Sequence, residues 1–500
     1  MQYMDYPTFF LVLSFFLTFI YAFTISRSRN SRLPPGPYPL PIIGNLLKLS
    51  NKPHRSLATL SKHYGPIMSL KLGSRTTIVV SSPDMAKEFF HTHDQAFSSR
   101  TVPHIARWMD HHKYSIGWLP AGDQWRKLRR ITKEYIFSGQ CLDRSEQLRT
   151  QKVQELVDHI SQCCASEKAV NIGAAMFTTS LNILSNIMFS KDFSQSFSMS
   201  SEEFKDAMWG IMEIGGKPNL VDFFPILKFL DPQGLERQGN IYGKKIFTIF
   251  DEIIDQRFQR IATSSTLPTI NDALDLMINL QLKDESEFNR KDIRHLLLDL
   301  FVAGTDTTST TLEWAMVELI RNPEKIKMAR LEIIRLMQSK ENLVQENDIP
   351  QLPYLQAIIK ETLRLHPPAP FLIPHQAIHD VEVRGFLVPK DSQILCNVWA
   401  IGRDPKIWSD PETFMPERFL GVDIDYRGQD FELIPFGAGR RMCPGFNMAH
   451  RMLPIILSSV IHKFDWKLQE NMRVEDMDMD EKFGLTCPRN EPLLVVPIKL

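Results

Sequence analysis

Apolar residues recur at three- and four-residue intervals along most of the chain. That period predicts amphipathic helices at about 84–92, 123–138, 142–165, 170–190, 201–214, 240–262, 271–281, 290–321, 322–338 and 353–365. Two short β-type runs, 67–71 and 76–81, flank Leu72-Gly73-Ser74-Arg75 and read as a hairpin. Between 375 and 400 short β-type runs alternate with turns, and from 404 to 445 Pro, Gly and Asp break every period. A last helix is expected over about 447–462. The pattern is therefore mostly α with small β-sheets (α+β). No repeat and no long flexible linker follows residue 45, so residues 46–500 read as one large domain.

The first forty residues follow a different pattern. Thr8 to Ile25 is an uncharged apolar run of 18 residues, about the length that crosses a bilayer core of ~30 Å as a helix. Asp5 precedes it, and Arg27, Arg29 and Arg32 follow, which places the body of the protein on the cytosolic side. The alternative is a cleaved signal peptide, but no basic residue precedes the run and no small-x-small cleavage site follows it. Leu33-Pro34-Pro35-Gly36-Pro37-Tyr38-Pro39-Leu40-Pro41 then forbids a helix and favours a stiff extended segment. Residues 1–26 are thus expected to be a single-pass membrane anchor touching lipid, and 27–45 a basic, proline-rich hinge.

Composition adds mainly exclusions. Lys plus Arg equals Asp plus Glu at 58 each, so no global basic field for nucleic acid exists, and none is expected as partner. Six irregularly spaced cysteines (141, 163, 164, 396, 443 and 487) do not form a disulfide framework, which fits a reducing compartment.

The segment Pro435-Phe436-Gly437-Ala438-Gly439-Arg440-Arg441-Met442-Cys443-Pro444-Gly445 carries the most chemistry. Taken alone, Cys443 is as readily an inert buried thiol beside a glycine turn. Its surroundings change that reading. The glycines allow a tight turn and close approach of a flat ligand, and backbone N–H groups and the following helix N-terminus favour a thiolate. Arg441 offers a cation to a carboxylate on the same ligand, and Phe436 offers cover for the sulfur. An iron porphyrin needs these parts. Upstream, Ala303-Gly304-Thr305-Asp306-Thr307-Thr308 places poor helix formers inside a predicted helix. A poorly formed surface helix is one explanation. The other is a helix that passes close over a flat ligand, opened by a Thr hydroxyl bonded back one turn, with Asp306 and Thr307 able to relay protons.

The cysteine segment matches F-x-x-G-x-R-x-C-x-G and so resembles the signature of the haem-thiolate monooxygenases, the cytochrome P450 superfamily. The 303–308 segment resembles that family's oxygen-side helix. Trp125-Arg126-Lys127-Leu128-Arg129 resembles its W-x-x-x-R, although a core Trp beside a solvated Arg has the same spacing. Glu361-Thr362-Leu363-Arg364 and Pro416-Glu417-Arg418-Phe419 resemble its E-x-x-R and P-E-R-F segments, which join as a buried structural network. The landmarks occur in family order over residues 8–500, in the plant microsomal form. Gly402-Arg403-Asp404-Pro405, Gly428-Gln429-Asp430-Phe431-Glu432-Leu433 and Lys463-Phe464-Asp465-Trp466-Lys467-Leu468 look most like plant terpenoid hydroxylases of the geraniol hydroxylase and ferruginol synthase types.

The resemblance implies the P450 fold and haem b with Cys443 as its thiolate metal ligand. It further implies that Trp125, Arg129, His375, Phe436 and Arg441 bind the cofactor and that Asp306 and Thr307 are catalytic. Where many relatives carry an arginine toward a propionate, this chain has His375. The implied reaction inserts one oxygen atom of O2 into a C–H bond of a small apolar substrate. A terpenoid is favoured, with an abietane diterpenoid ahead of a monoterpenol. Because no flavin or nicotinamide fingerprint is evident, electrons are expected from NADPH–cytochrome P450 reductase at the endoplasmic reticulum membrane. Lys127, Arg130 and Lys133 are candidates to dock it, or simply a solvated face. The alternatives are a haem-thiolate isomerase or dehydratase, against which Asp306 and Thr307 speak, and a membrane-anchored haem-binding protein without turnover. By family position, substrate contacts fall in 99–118, 205–216, Leu298, Phe301, Val302, 369–373 and 483–486. In the first of these His104, Arg107, Asp110, His111 and His112 are expected mostly to face water.

Overall fold

A computed structural model of the chain describes residues 6–28, 32–193, 201–263, 272–337, 343–469 and 472–500. Asp5, Arg29 and the predicted helix ends at 271 and 338 lie outside the described residues. The chain is mostly helical. The longest helix, Arg290–Arg321, is buried along most of its length, so other elements must pack on every side of it. They are chiefly Ile172–Phe189, Phe446–Lys463, Pro353–Leu365 and Leu235–Thr263. Its start is fixed by a capping box. The Asn289 side chain accepts from the Lys291 and Asp292 amides, and the Asp292 carboxylate accepts from the Asn289 amide. It stops at Asn322, directly before Pro323, which favours extended backbone at 322.

Three small sheets flank the helices. In the first, β1 (Ile67–Leu72), β2 (Arg75–Val80), β8 (Gln393–Cys396), β5 (His375–Gln376) and β3 (Ser99–Arg100) lie in the order β1-β2-β8-β5-β3. The β3–β5 pairing sets Arg100 opposite His375. In the second, β10 (Leu494–Lys499) lies between β4 (Val170–Asn171) and β9 (Phe464–Leu468). The third is the hairpin of β6 (Val381–Val383) and β7 (Phe386–Val388).

Four departures from the sequence reading bear on the fold around the site. Residues 170–171 are strand, and the helix starts at Ile172 because the Asn171 side chain caps it, accepting from the Ala174 amide. Pro53–Tyr64 is a helix that the period left unassigned; Pro53 occupies its first turn, and it buries His54, Leu57 and Ala58. The expectation that 104–112 faces water holds for Arg107 and Asp110 only. His104 and His111 are buried, because the segment folds as short 3-10 turns under the helix Leu235–Thr263. The fourth departure concerns the prolines. The Ser69 amide donates to the Pro35 carbonyl at 2.9 Å, and the Ser69 hydroxyl to the Pro34 carbonyl at 2.6 Å. The proline-rich segment is therefore laid on β1 as part of the folded body. The apolar run forms the helix Tyr6–Ser28, with Phe10, Leu11, Phe15, Phe16 and Phe19 exposed.

Candidate active site

Cys443 lies in the loop between the 3-10 turn Gly439–Arg441 and the helix Phe446–Lys463. Its amide donates to the Phe436 carbonyl at 2.8 Å, closing the loop on itself. Gly437 and Gly439 take left-handed backbone, with φ of 72° and 63°. At Gly439 a Cβ would stand 2.2 Å from the Phe90 carbonyl oxygen, so only glycine fits this turn. Burial pushes the Cys443 thiol up, while the Gly445 amide, Arg129 and the Phe446 amide pull it back down. The amides belong to the helix N-terminus, the pattern that steadies an anionic sulfur. The Phe436 ring packs edge-on against Phe446 at 5.4 Å and beside Tyr426. Cys443 retains accessible surface and belongs to none of the apolar core clusters.

The long helix Arg290–Arg321 shows the complementary feature. From 292 to 320 it is buried apart from Arg294 near its start and one stripe, where Asp299, Val302, Gly304 and Thr307 keep accessible surface and Ala303 is exposed. Solvent-accessible positions in the middle of the most enclosed helix mean that this stripe faces an internal void. The Thr307 hydroxyl donates to the Ala303 carbonyl at 2.6 Å, and Thr308 to Gly304 at 2.9 Å. Asp306 lies on the same side of the helix but is buried under Thr486. It accepts from the Thr486 hydroxyl, and burial raises its carboxyl above the usual aspartate range. Phe301 and Leu298, expected to meet substrate, are both buried. Phe301 stacks with Phe189 and Phe250 and meets Phe193 and Phe204 edge-on.

A cation cluster surrounds the cysteine loop. Arg441 is buried. It donates to the Ser98 carbonyl at 2.7 Å, to the Ile116 carbonyl at 3.4 Å and to the Leu119 carbonyl, and it lies 4.4 Å over the Trp125 ring. Arg129, one helical turn beyond Trp125, has no hydrogen-bond or ion-pair partner among the described residues, and its charge is felt at Cys443. Sequence reasoning missed Arg100. It is buried, donates to the Ile373 carbonyl and leaves its Nε unpartnered. Burial lowers all three, and repulsion from neighbouring guanidiniums adds to it at Arg441, which falls to about 10, and at Arg100, which falls well below its ordinary value. Among the described residues no carboxylate pairs with any of them. Three crowded guanidiniums without an anion call for one, and paired carboxylates on a flat ligand fit. His375 stands in the same cluster, with Nδ1 2.7 Å from the Phe97 carbonyl and its ring on Phe90. Burial, Arg100 and Arg441 hold it well below its usual pKa, so Nε2 carries a lone pair. It bonds a carboxylate only after taking up a second proton.

Behind the loop, Glu361 and Arg364 are fully buried and bidentate at 2.7 and 2.8 Å. Glu361 also accepts from Arg418 Nε at 3.0 Å and from the Met415 amide at 2.7 Å. Arg364 also reaches the carbonyls of Gly402 and Pro411. A small cleft borders Arg364, Gly402, Leu433, Ile434 and Pro435, so the network adjoins the strand of chain that leads into the cysteine loop.

The profile of the cytochrome P450 family matches residues 34–495. Cytochrome P450 76T24 of Catharanthus roseus is 53% identical, over 98% of both chains. Geraniol 8-hydroxylase of Catharanthus roseus is 49% identical over 99% of this chain and all of its own. Ferruginol synthase of Isodon rubescens is 47% identical over 97% of this chain and 98% of its own. A glycine-bounded cysteine loop, an accessible stripe on the central helix and an unpaired cation cluster agree with those matches: the chain belongs to the cytochrome P450 family and is a monooxygenase whose cofactor is haem b with a cysteine thiolate axial ligand.

Proposed function

We propose that the chain oxidises a terpenoid at the void between the 302–307 stripe and the cysteine loop, with an abietane diterpenoid favoured and a monoterpenol second. One observation carries this reading: an accessible stripe at Ala303 and Thr307 together with the cluster of Arg100, Arg129 and Arg441, which has no carboxylate partner among the described residues, around Cys443. Haem b, when bound, supplies the activation of dioxygen. Cys443 would hold the iron, and Arg100, Arg129 and Arg441 would hold the propionates, with Trp125 supporting Arg441 and Phe436 shielding the sulfur. His375 would contribute once doubly protonated. Thr307, its hydroxyl at the stripe, would hand a proton toward dioxygen. Asp306 would replenish it, since a carboxyl raised by burial keeps its proton closer to neutral pH. The segments at 369–373 and 483–485 bring Ala369, Leu372, Ile373, Phe483 and Leu485, all with some accessible surface, which suits an apolar ligand. The names of the geraniol and ferruginol relatives support the terpenoid class.

Microsomes holding the full chain and a plant NADPH–cytochrome P450 reductase are expected to oxidise at least one member of a panel of geraniol and abietane dienes, depending on NADPH and O2. No product from any terpenoid, with product from another class, would remove the substrate reading. Thr307→Ala is expected to keep consuming NADPH while product per NADPH falls on the order of ten-fold or more, oxygen leaving as peroxide. Full coupling in that variant counts against the relay.

We further infer attachment to the endoplasmic reticulum membrane through the helix Tyr6–Ser28, the anchor, with the catalytic body from about residue 32 in the cytosol. An apolar surface supports this orientation. Tyr38, Leu40, Ile42 and Leu47 are exposed on one side of the β1–β2 turn. Ile226, Phe229 (94% exposed) and Leu230 project from the other, joined to that turn by the bond from the Ser74 amide to the Phe223 carbonyl at 2.8 Å. Such a patch suits the interfacial layer of a bilayer. Removal of residues 1–31 is expected to leave a protein that still floats with liposomes. Adding Ile226→Ser and Phe229→Ser should release it, and flotation that ignores these two changes would contradict the patch.

A further inference from the structure

The segment 104–119 meets the long helix at His295 and Asp299, one turn before the 302–307 stripe, and bends sharply at Met109 and Asp110. Both take left-handed backbone, with φ of 46° and 59°. Two consecutive non-glycine residues there are costly, so the bend persists only because something holds it. A chain of buried polar groups does so. His295, fully buried on the long helix, has Nδ1 2.9 Å from Nδ1 of His111. His111 in turn has Nε2 3.1 Å from Asp299 Oδ1. The same carboxylate accepts from the Ser115 hydroxyl at 2.9 Å and from the Ile116 amide at 2.8 Å. Aromatic faces close both sides: Trp108 stacks on His111, and Tyr114 on His295 at 5.0 Å.

The proton positions follow from the partners. Asp299 is an acceptor, so His111 Nε2 carries hydrogen, and a single hydrogen lies between the two Nδ1 atoms. Burial, His111, Arg294 and Lys291 push His295 down to about 2, so the His295 ring stays neutral near neutral pH. The Ile116 peptide is therefore gripped from two directions. Its N–H is held by Asp299 of the oxygen-side helix, and its C=O by Arg441 of the cysteine loop.

We propose that Asp299, backed by His111 and His295, is a positioning residue that braces the 115–119 turn as one wall of the substrate void and so decides which bulky ligands fit. The brace acts on shape and not on the proton relay, since Asp306 and Thr307 lie two turns further along the helix and bond elsewhere. Its effect on ligands rests on the proposed site; its effect on the backbone does not.

The full-length holoprotein tests it. Asp299→Ala and Asp299→Asn are expected to keep the thiolate-type carbon-monoxide difference band. Hydrogen exchange of the 111–119 amides should accelerate about ten-fold in the alanine variant and less in the asparagine variant, which keeps one acceptor. Imidazole should bind within about two-fold of the parent, while 4-phenylimidazole, which reaches the wall, weakens about five-fold. Exchange unchanged in both variants overturns the brace. Accelerated exchange with both ligands equally affected overturns the specificity role. Should Asp299→Ala not fold, Ser115→Ala and His111→Phe each remove one arm, and unaltered 111–119 exchange in both overturns the proposal as well.

Discussion

Cys443→Ala is expected to yield a folded chain that has lost its haem: no thiolate-type band in the reduced carbon-monoxide difference spectrum, and haem content down by at least two orders of magnitude in affinity. Loss of a single outer partner of a metal ligand costs about 10–100-fold in affinity, and loss of the ligand itself removes more. The reasoning is local. Only Cys443 among the six cysteines combines helix N-terminal amides, a neighbouring unpaired guanidinium and accessible surface toward a void. Cys396 sits inside β8, with its thiol pushed far up by burial. Cys487 is buried with its thiol pushed up to about 12. Cys141 donates its S–H to the Tyr135 carbonyl. None of these is poised to be a thiolate. Cys443→His separates loss of the ligand from loss of the pocket: it should bind some haem and move the band to that of a histidine-ligated iron. A thiolate-type band surviving in Cys443→Ala would mean that another sulfur binds the iron, and the site assignment would fail.

How far the sequence reaches depends on whether an element is defined by its neighbours in the chain or across it. The helices 290–321 and 353–365 appear at their expected bounds, because each has its own start and stop signals: Asn289 and Asp292 for one, Pro353 for the other, and Pro323 just past the first. The cysteine loop is also locally encoded, in glycines that only tight turns require. Arg100 is the opposite case. Nothing in Ser98-Ser99-Arg100-Thr101 marks it, since its place beside the cysteine loop comes from a two-residue pairing with a strand some 275 residues later. His111 and His295 are likewise 184 positions apart, so a polar stretch that reads as solvated is in fact the lining of an interior brace. β10 was obscured by Pro497, which removes a ladder donor. It is tolerated because β4 pairs only with Leu494 and Val495, leaving β10 an edge at the proline. Phe301 was misplaced by one face: at ~100° per residue, a contact assigned to 301 and one assigned to 302 point to different sides of the helix.

Glu361→Ala is the second large effect, and it falls on assembly, with no part in the chemistry. Glu361 is the one anion between Arg364 and Arg418, and all three side chains are nearly or fully buried. With the carboxylate gone, two guanidiniums face each other without compensation, and the Met415 amide loses its acceptor. Breaking a buried pair in this way costs about 3–5 kcal/mol, a large part of the ~5–15 kcal/mol that holds a folded protein. The strain is delivered to the Gly402, Pro411 and Thr413 carbonyls that Arg364 ties together, and through the adjoining 433–435 backbone to the cysteine loop. The expected outcome is little or no holoprotein at 37 °C, and at lower temperature a small yield whose carbon-monoxide band decays to the inactive form on warming. Arg364→Lys should behave almost as badly, because an ammonium cannot make the two parallel bonds to Glu361 and still reach two carbonyls. Arg418→Lys should be milder, since Arg418 gives Glu361 a single bond through Nε. Thermal melts and haem yields that rank the three variants otherwise, with Arg418→Lys the worst, would show that the network is organised around Arg418 instead of the Glu361–Arg364 pair.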